Sequence, residues 1–220
     1  MDVAHLAADQ GAPAGTLVLA DEQSSGRGRG GKSWASAPGA GIWLTLVERP
    51  GDVSGLEVLS LRVGLRAAEA LDRFAPEPVR LKWPNDLYVE AGKLGGILVE
   101  ARWREQAVEW IAIGVGINVR RPENVGSAGA LEVGAERLDV LAELVPALRS
   151  AAAASGPLED SELEEYNARD MARGRLCTQP ALGRVAGISS KGELLIALAD
   201  SVAPFRSGSL VLEEAEDRAR

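Results

Sequence analysis

A chain of 220 residues, 46% hydrophobic and 25% charged, is long enough for one substantial core with a small accessory unit. A single cysteine, Cys177, and a single histidine, His5, leave no material for a disulfide framework or for a metal cluster built on Cys and His. The net charge of −8 argues against bulk nucleic-acid binding; there is no apolar run near the roughly 20 residues of a membrane span and no basic-then-apolar leader, so a soluble cytoplasmic protein is expected. The charge is unevenly placed: no acid stands between Glu22 and Glu48, while Arg27, Arg29 and Lys32 fall close together. Such a segment in an acidic protein suits capture of a small anion, the plainer alternative being a solvated basic loop.

In chain order, residues 3–10 read as a helix ended by Gly11, and 16–20 as a strand after a Gly/Pro break. That helix has no side chain before it to act as N-cap, which predicts a further Ser-, Thr- or Asn-rich segment upstream of Met1. Residues 23–40 read as loop and 42–47 as a strand too apolar for simple alternation, hence buried on both faces. Leu56, Leu59, Val63, Ala67, Ala70, Leu71 and Phe74 recur at helical spacing before Pro76 and Pro78. Strands follow at 79–82, 86–89 and 96–100, the last two forming a hairpin turned by Ala91 and Gly92, then a strand at 110–119 and a mobile loop at 120–130. Helices are expected at 138–153 and 161–172. Short β runs at 176–178, 183–188, 193–197 and 210–213 suggest a small five-stranded barrel beginning near Arg173. Helices mixed with hairpin-linked strands, without regular βαβ alternation, give an α+β class with a mixed sheet.

Four segments carry candidate chemistry. Gly26-Arg27-Gly28-Arg29-Gly30-Gly31-Lys32-Ser33 satisfies the phosphate-binding pattern G-x-x-x-x-G-K-[ST]. That pattern needs a helix opening at the Lys-Ser, and here the chain runs on through Pro38 and Gly39 into a strand, so the expectation is a glycine-rich cationic lid able to wrap phosphate or carboxylate. Lys82-Trp83-Pro84-Asn85-Asp86 joins two strands: a lysine beside a bulky tryptophan is partly desolvated and attracts an anion more strongly than in water, whereas the bland reading is a turn held by Asx hydrogen bonds. Gly95 and Gly96, after Lys93, and Gly114 and Gly116, before Asn118, weaken otherwise good strands unless something flat must approach the backbone, a β-bulge being the alternative.

Taken in order, Gly26 to Trp34, Lys82 to Leu87, Lys93 to Glu100 and Gly114 to Asn118 make the chain resemble the biotin protein ligases over nearly its whole length. The resemblance implies a class II synthetase-like catalytic domain over residues 1–172 and an SH3-like C-terminal barrel over 173–220. It implies formation of biotinyl-5′-AMP from biotin and ATP with Mg²⁺, then transfer of biotin to a lysine of a biotin carboxyl carrier protein of a carboxylase. On that resemblance Lys82, Arg27 and Arg29 are the catalytic cations. Gln23, Gly26, Arg27, Gly28, Arg29, Lys82, Gly95 and Gly96 contact biotin, with Gln23 on the ureido group; Arg29, Trp34, Asn85, Lys93 and Asn118 contact the nucleotide. No protein residue is assigned as a metal ligand. The family's larger members carry an N-terminal helix-turn-helix domain that nothing here precedes the first helix to match, so nucleic acid and membrane are not expected partners; a homodimer is compatible. The alternatives are a lipoate or octanoate ligase of the same architecture, and a module that holds biotinyl-adenylate without transferring it.

Overall fold

The computed structural model describes residues 1–122, 127–132 and 134–213. Its largest element is a six-stranded sheet in the order β1-β2-β6-β5-β4-β3, formed by β1 (Thr16–Ala20), β2 (Gly41–Glu48), β3 (Arg80–Lys82), β4 (Asp86–Val89), β5 (Gly92–Arg104) and β6 (Ala107–Asn118). Neighbouring strands are antiparallel throughout. The α+β class therefore holds, but the expected mixed sheet does not: parallel pairing is confined to single bridges, Leu81 with Asp170 and Lys93 with Ala128. The physical reason lies in the short connections β3-β4, β4-β5 and β5-β6, which join only antiparallel neighbours.

Residues alternate between the two faces of this sheet. One face presents Ile42, Leu44, Leu46, Ile113, Val115, Ile117, Ile97 and Leu87, all buried. It packs against α2 (Leu59–Leu71), continued by a 3-10 turn at Asp72–Phe74, and α3 (Arg137–Ala153). The helical spacing from Leu56 is real, but its first turn is not helix: α2 opens at Leu59. The opposite face carries Val47, Trp110 and Ala112, covered by Ala4 and Ala8 of α1 (Asp2–Asp9). As the sequence predicts, α1 starts without a side-chain cap. A fourth helix, α4 (Asp160–Arg169), is tied to α2 by an ion pair inside the protein: Arg62, 1% exposed, donates to both carboxylate oxygens of Glu162 at 2.7 and 2.9 Å.

The expected C-terminal strands form a second antiparallel sheet, β7 (Leu176–Gln179), β8 (Gly183–Ile188), β9 (Leu194–Ala197), β10 (Val202–Phe205) and β11 (Val211–Leu212), in the order β10-β9-β8-β7-β11. β10 had no counterpart in the sequence pattern, because Pro204 cannot donate to a ladder; it is an edge strand, where proline is tolerated. One apolar core runs through both sheets, from Leu46 and Leu65 to Val185 and Ile196. The junction is pinned by Trp83, whose indole N–H donates to the Gly192 carbonyl at 3.0 Å. Of the 120–130 stretch expected as a mobile loop, 123–126 lie outside the described residues. Its far end is held to β5: Lys93 N–H donates to Ser127 at 3.0 Å, and Gly129 N–H to Lys93 at 2.9 Å. No helix among the described residues is long and apolar enough to cross a membrane.

Candidate active site

The strand registers bring Trp43, Gly116, Gly96, Asp86 and Lys82 into one row across β2, β6, β5, β4 and β3. The row is low in the middle and tall at its ends. A side chain on Gly116 would meet the Trp34 indole at 3.0 Å, and one on Gly96 would meet it at 3.3 Å. In the next row, one on Gly114 would meet the Met1 sulfur at 2.6 Å. These glycines make the floor of a cleft of about 1060 Å³. Strand glycines did signal a close approach, and the flat group lying on them is the protein's own indole.

Gly95 is the contrast one residue away. A side chain there would meet Ile117 at 2.6 Å and Leu87 at 3.3 Å, on the helix-packed face, so Gly95 serves the core and is absent from the cleft. Period-two alternation contained this distinction: if Gly96 faces a ligand, Gly95 cannot.

The glycine-arginine segment forms the lid side. It is not a phosphate-binding loop of the strand-to-helix kind. Arg27 and Ser33 pair as an antiparallel bridge, Trp34 N–H donates to Gly26 at 2.8 Å and Gly28 N–H to Lys32 at 2.6 Å, closing a narrow finger with a 3-10 turn at Arg29–Gly31. Gly30 and Gly31 at its tip have φ of 67° and 76°, which other residues adopt only at a cost. Gly26 lies behind the finger, so close to the Trp34 backbone that any side chain would collide with it, and does not line the cleft. Gln23, Arg27, Gly28 and Arg29 do line it. Arg27 is ion-paired with Asp2, and Arg29 donates to the Gly208 carbonyl at 2.9 Å.

Lys82 stands half-buried at the end of the row, its ammonium 5.8 Å from the centre of the Tyr88 ring. Burial pushes its pKa below the ordinary lysine value; Asp86 opposes that shift, and the charges of Lys93, Arg175 and Lys32 reinforce it. The Tyr88 hydroxyl is pushed up by burial and by Asp86. Lys93 pairs with Asp86 at 2.6 Å and lies 5.2 Å from the Trp34 ring. Asp86, which closes the Lys82–Asp86 segment and was given no ligand contact by the resemblance, thus lines the cleft as well. Asn85 lines the cleft while its amide donates to the Ile97 carbonyl at 2.6 Å. Asn118 does not line it: its buried amide donates to Lys93 at 3.2 Å and Gly129 at 3.0 Å, holding the 127–131 segment against β5. Its contribution to the cleft is through backbone placement. The indole N–H groups of Trp34 and Trp43 are buried and meet no acceptor among the described residues, leaving two donors in the cleft wall. Sequence reading also missed Trp43, Thr45 and Arg175, which join the cleft from places without a local motif.

The arrangement of a flat, low floor, a cationic finger, a desolvated lysine and a lysine-carboxylate pair fits an elongated ligand with an aromatic part and several negative charges. Comparison with known proteins gives a family. Residues 7–118 match the model of the biotin/lipoate A/B protein ligase family. Among curated relatives, the bifunctional ligase/repressor BirA of Bacillus subtilis is 38% identical over 122 residues, covering 55% of this chain and 38% of that protein. Its namesake from Escherichia coli is 32% identical over 223 residues, covering 92% and 68%. The chain therefore spans little more than a third of the first relative and about two thirds of the second. A biotin protein ligase from Aquifex aeolicus, solved with biotin and ATP, superposes with a TM-score of 0.80 at 25% identity, covering 96% of this chain and 94% of that one. With the match spanning the finger, the Lys82 turn and the glycine strands together, the chain belongs to the biotin/lipoate A/B protein ligase family.

Proposed function

We propose that this protein activates biotin with ATP as biotinyl-5′-AMP and transfers the biotinyl group to a lysine of a biotin carboxyl carrier protein. The observation that carries this reading is the single row in which a glycine floor leads to a desolvated lysine, Lys82. On this reading residues 1–172 supply the floor, the finger and Lys82, and the second sheet, β7 to β11, belongs to the C-terminal unit.

Biotin lies along the floor with its ureido group toward Gln23, whose side chain makes no hydrogen bond among the described residues. The carboxylate points to Lys82. Two anions must meet there, the carboxylate and the α-phosphate, and their repulsion is offset by Lys82 and by Arg27 and Arg29 closing from the finger. Arg27 must exchange Asp2 for the substrate in doing so. Trp34, moved off the glycine floor as biotin takes its place, offers its indole to the adenine, with Asn85 and Lys93 on the nucleotide side. No protein nucleophile is required.

Mg²⁺ would enter with the nucleotide. No group of three or more His, Cys, Asp or Glu side chains among the described residues could hold a metal, while Asp86 supplies one carboxylate beside the phosphates. That donor set fits an ion held mainly by phosphates and water, as Mg²⁺ commonly is, and the ion would add positive charge against the triphosphate. In the second step the carrier lysine amine attacks the mixed anhydride and AMP leaves, with the finger excluding water meanwhile.

The test is incubation with ATP, Mg²⁺, a carrier domain and either biotin or lipoate, following AMP release and carrier mass. A biotin-sized mass gain supports the proposal. A lipoyl-sized gain would assign the other branch of the family, and adenylate retained without transfer would make the protein a binding module.

A further inference from the structure

The roles assigned so far leave most of the nucleotide's charge unattended. Lys82, Arg27 and Arg29 face the reacting carboxylate and α-phosphate, and Lys93 is neutralised by Asp86. Beyond the Mg²⁺ that would enter with them, the β- and γ-phosphates, with roughly three negative charges between them, have no side-chain partner in that account. The cleft has a wall that no motif announces, formed by the second sheet: Arg175, just before β7, and residues 208–213 line it. This wall is fixed on both sides. Arg29 donates to the Gly208 carbonyl at 2.9 Å, and Glu213 N–H donates to Leu176 at 3.0 Å. The Arg175 backbone is itself anchored, donating to Ala172 and accepting from Val185, each at 2.9 Å.

The Arg175 guanidinium is exposed and, among the described residues, makes one weak contact, a 3.5 Å donation to the Glu213 carbonyl, with no carboxylate paired to it. Lys32, in the finger, likewise lines the cleft without a carboxylate partner among the described residues. Both are near enough to Lys82 for their charges to act on its ammonium, so the positive field around that lysine comes from two sides, the finger and the second sheet. A guanidinium is the fitting group for this position, since its planar fork bonds two phosphate oxygens at once.

Resting on the biotin-activating reading above, we propose that Arg175, opposed by Lys32, forms a subsite for the β- and γ-phosphates of ATP and for the pyrophosphate that leaves. In that step a biotin carboxylate oxygen bonds to the α-phosphorus as the bond to the α,β-bridging oxygen breaks, its electron pair departing on pyrophosphate. The leaving group is born beside Arg175. The second sheet is thereby part of the adenylation machinery and has no phosphate to hold during transfer, because biotinyl-adenylate lacks those two groups.

Arg175→Gln and Arg175→Lys test this, at an exposed position whose backbone bonds both variants keep. The measurements are KM for ATP and for pyrophosphate in biotin-dependent exchange, and, separately, affinity for preformed biotinyl-adenylate. Expected are rises of about tenfold or more in both KM values for the glutamine variant, the size of one lost charge-assisted contact, with partial rescue by lysine and adenylate affinity within about twofold of wild type. Unaltered KM values, or an equal loss of adenylate affinity, would overturn the subsite while leaving the biotin reading standing. A wild-type protein that binds no biotinyl-adenylate would overturn both.

Discussion

The two faces of the six-stranded sheet are made by the same strands and serve opposite ends. On the helix-packed face, β2, β5 and β6 present Leu44, Leu46, Ile97, Ile113, Val115 and Ile117, buried against α2 and α3. On the other face the same strands present Trp43, Gly96, Gly114 and Gly116, and the cover is left to a finger and a cleft. Among the described helices α1 alone packs there, over Val47, Ala112 and Trp110. One face spends its side chains on stability and the other removes them to admit a ligand. Substitutions on the two faces should therefore separate stability from chemistry.

The largest expected effect is at Lys82. Lys82→Ala should lower adenylate formation by roughly 10²–10³ or more, the size seen when a preorganised charge-stabilising donor is removed. Its melting temperature should stay at or above wild type, since a half-buried cation is removed; pyrophosphate exchange at the wild-type rate would refute the role. Next, Leu46→Ala, on the packed face, should cost about 2–5 kcal/mol of stability in denaturant titration while the folded fraction keeps its specific activity. Gly116→Val is the mirror case: its side chain collides with Trp34 and fills the floor, so calorimetry should show biotin and ATP affinity lost with a much smaller change in stability. Equal effects of the two on melting would break the division between faces.

How much of this was legible in the sequence differs between the same regions. Apolar patterning placed β2, α2 and α3, because burial on the packed face is what that pattern encodes, while β1 was marked by apolar and β-branched residues after a Gly/Pro break. The finger, Lys82, Trp34, Asn85, Lys93 and Gly96 were identifiable as one group because their residue types are unusual where they stand, and the fold brings them to one cleft. The misplacements share a cause. Gly95 and Asn118 belong to the right segments but point elsewhere, Gly95 into the core and Asn118 into a hydrogen-bonded strut, and a motif names positions without naming directions. Arg175 was invisible for a different reason: nothing near it in the chain marks it, and only the docking of the second sheet carries it to the cleft. β10 was hidden by Pro204, which reads as a break and is tolerated at a sheet edge.

Smaller effects sharpen the account of the finger. Arg27→Ala and Arg29→Ala should each weaken retention of the adenylate by roughly 1.5–3 kcal/mol, detected as faster escape in a trapping experiment. Escape at the wild-type rate in both variants would mean that closure is not ionic.

The smallest effect is a pH dependence. Burial lowers the Lys82 pKa, so the alkaline limb of the exchange reaction should fall below the ordinary lysine range, and Asp86→Asn should move it lower still, since Asp86 holds the pKa up. Stability runs the other way. Between the folded and the ordinary pKa the unfolded chain binds more protons, so the penalty for burying a charged Lys82 is relieved as pH rises, and the melting advantage of Lys82→Met should shrink over that window.

The most direct measurement is biotin-dependent exchange of labelled pyrophosphate into ATP by the wild-type chain and by Lys82→Ala, with thermal melts of both. The expected result is exchange that requires biotin, is carried by the wild type alone, and is lost in a variant that melts no lower. Exchange driven by lipoate and not biotin, or exchange surviving in Lys82→Ala, would contradict the account.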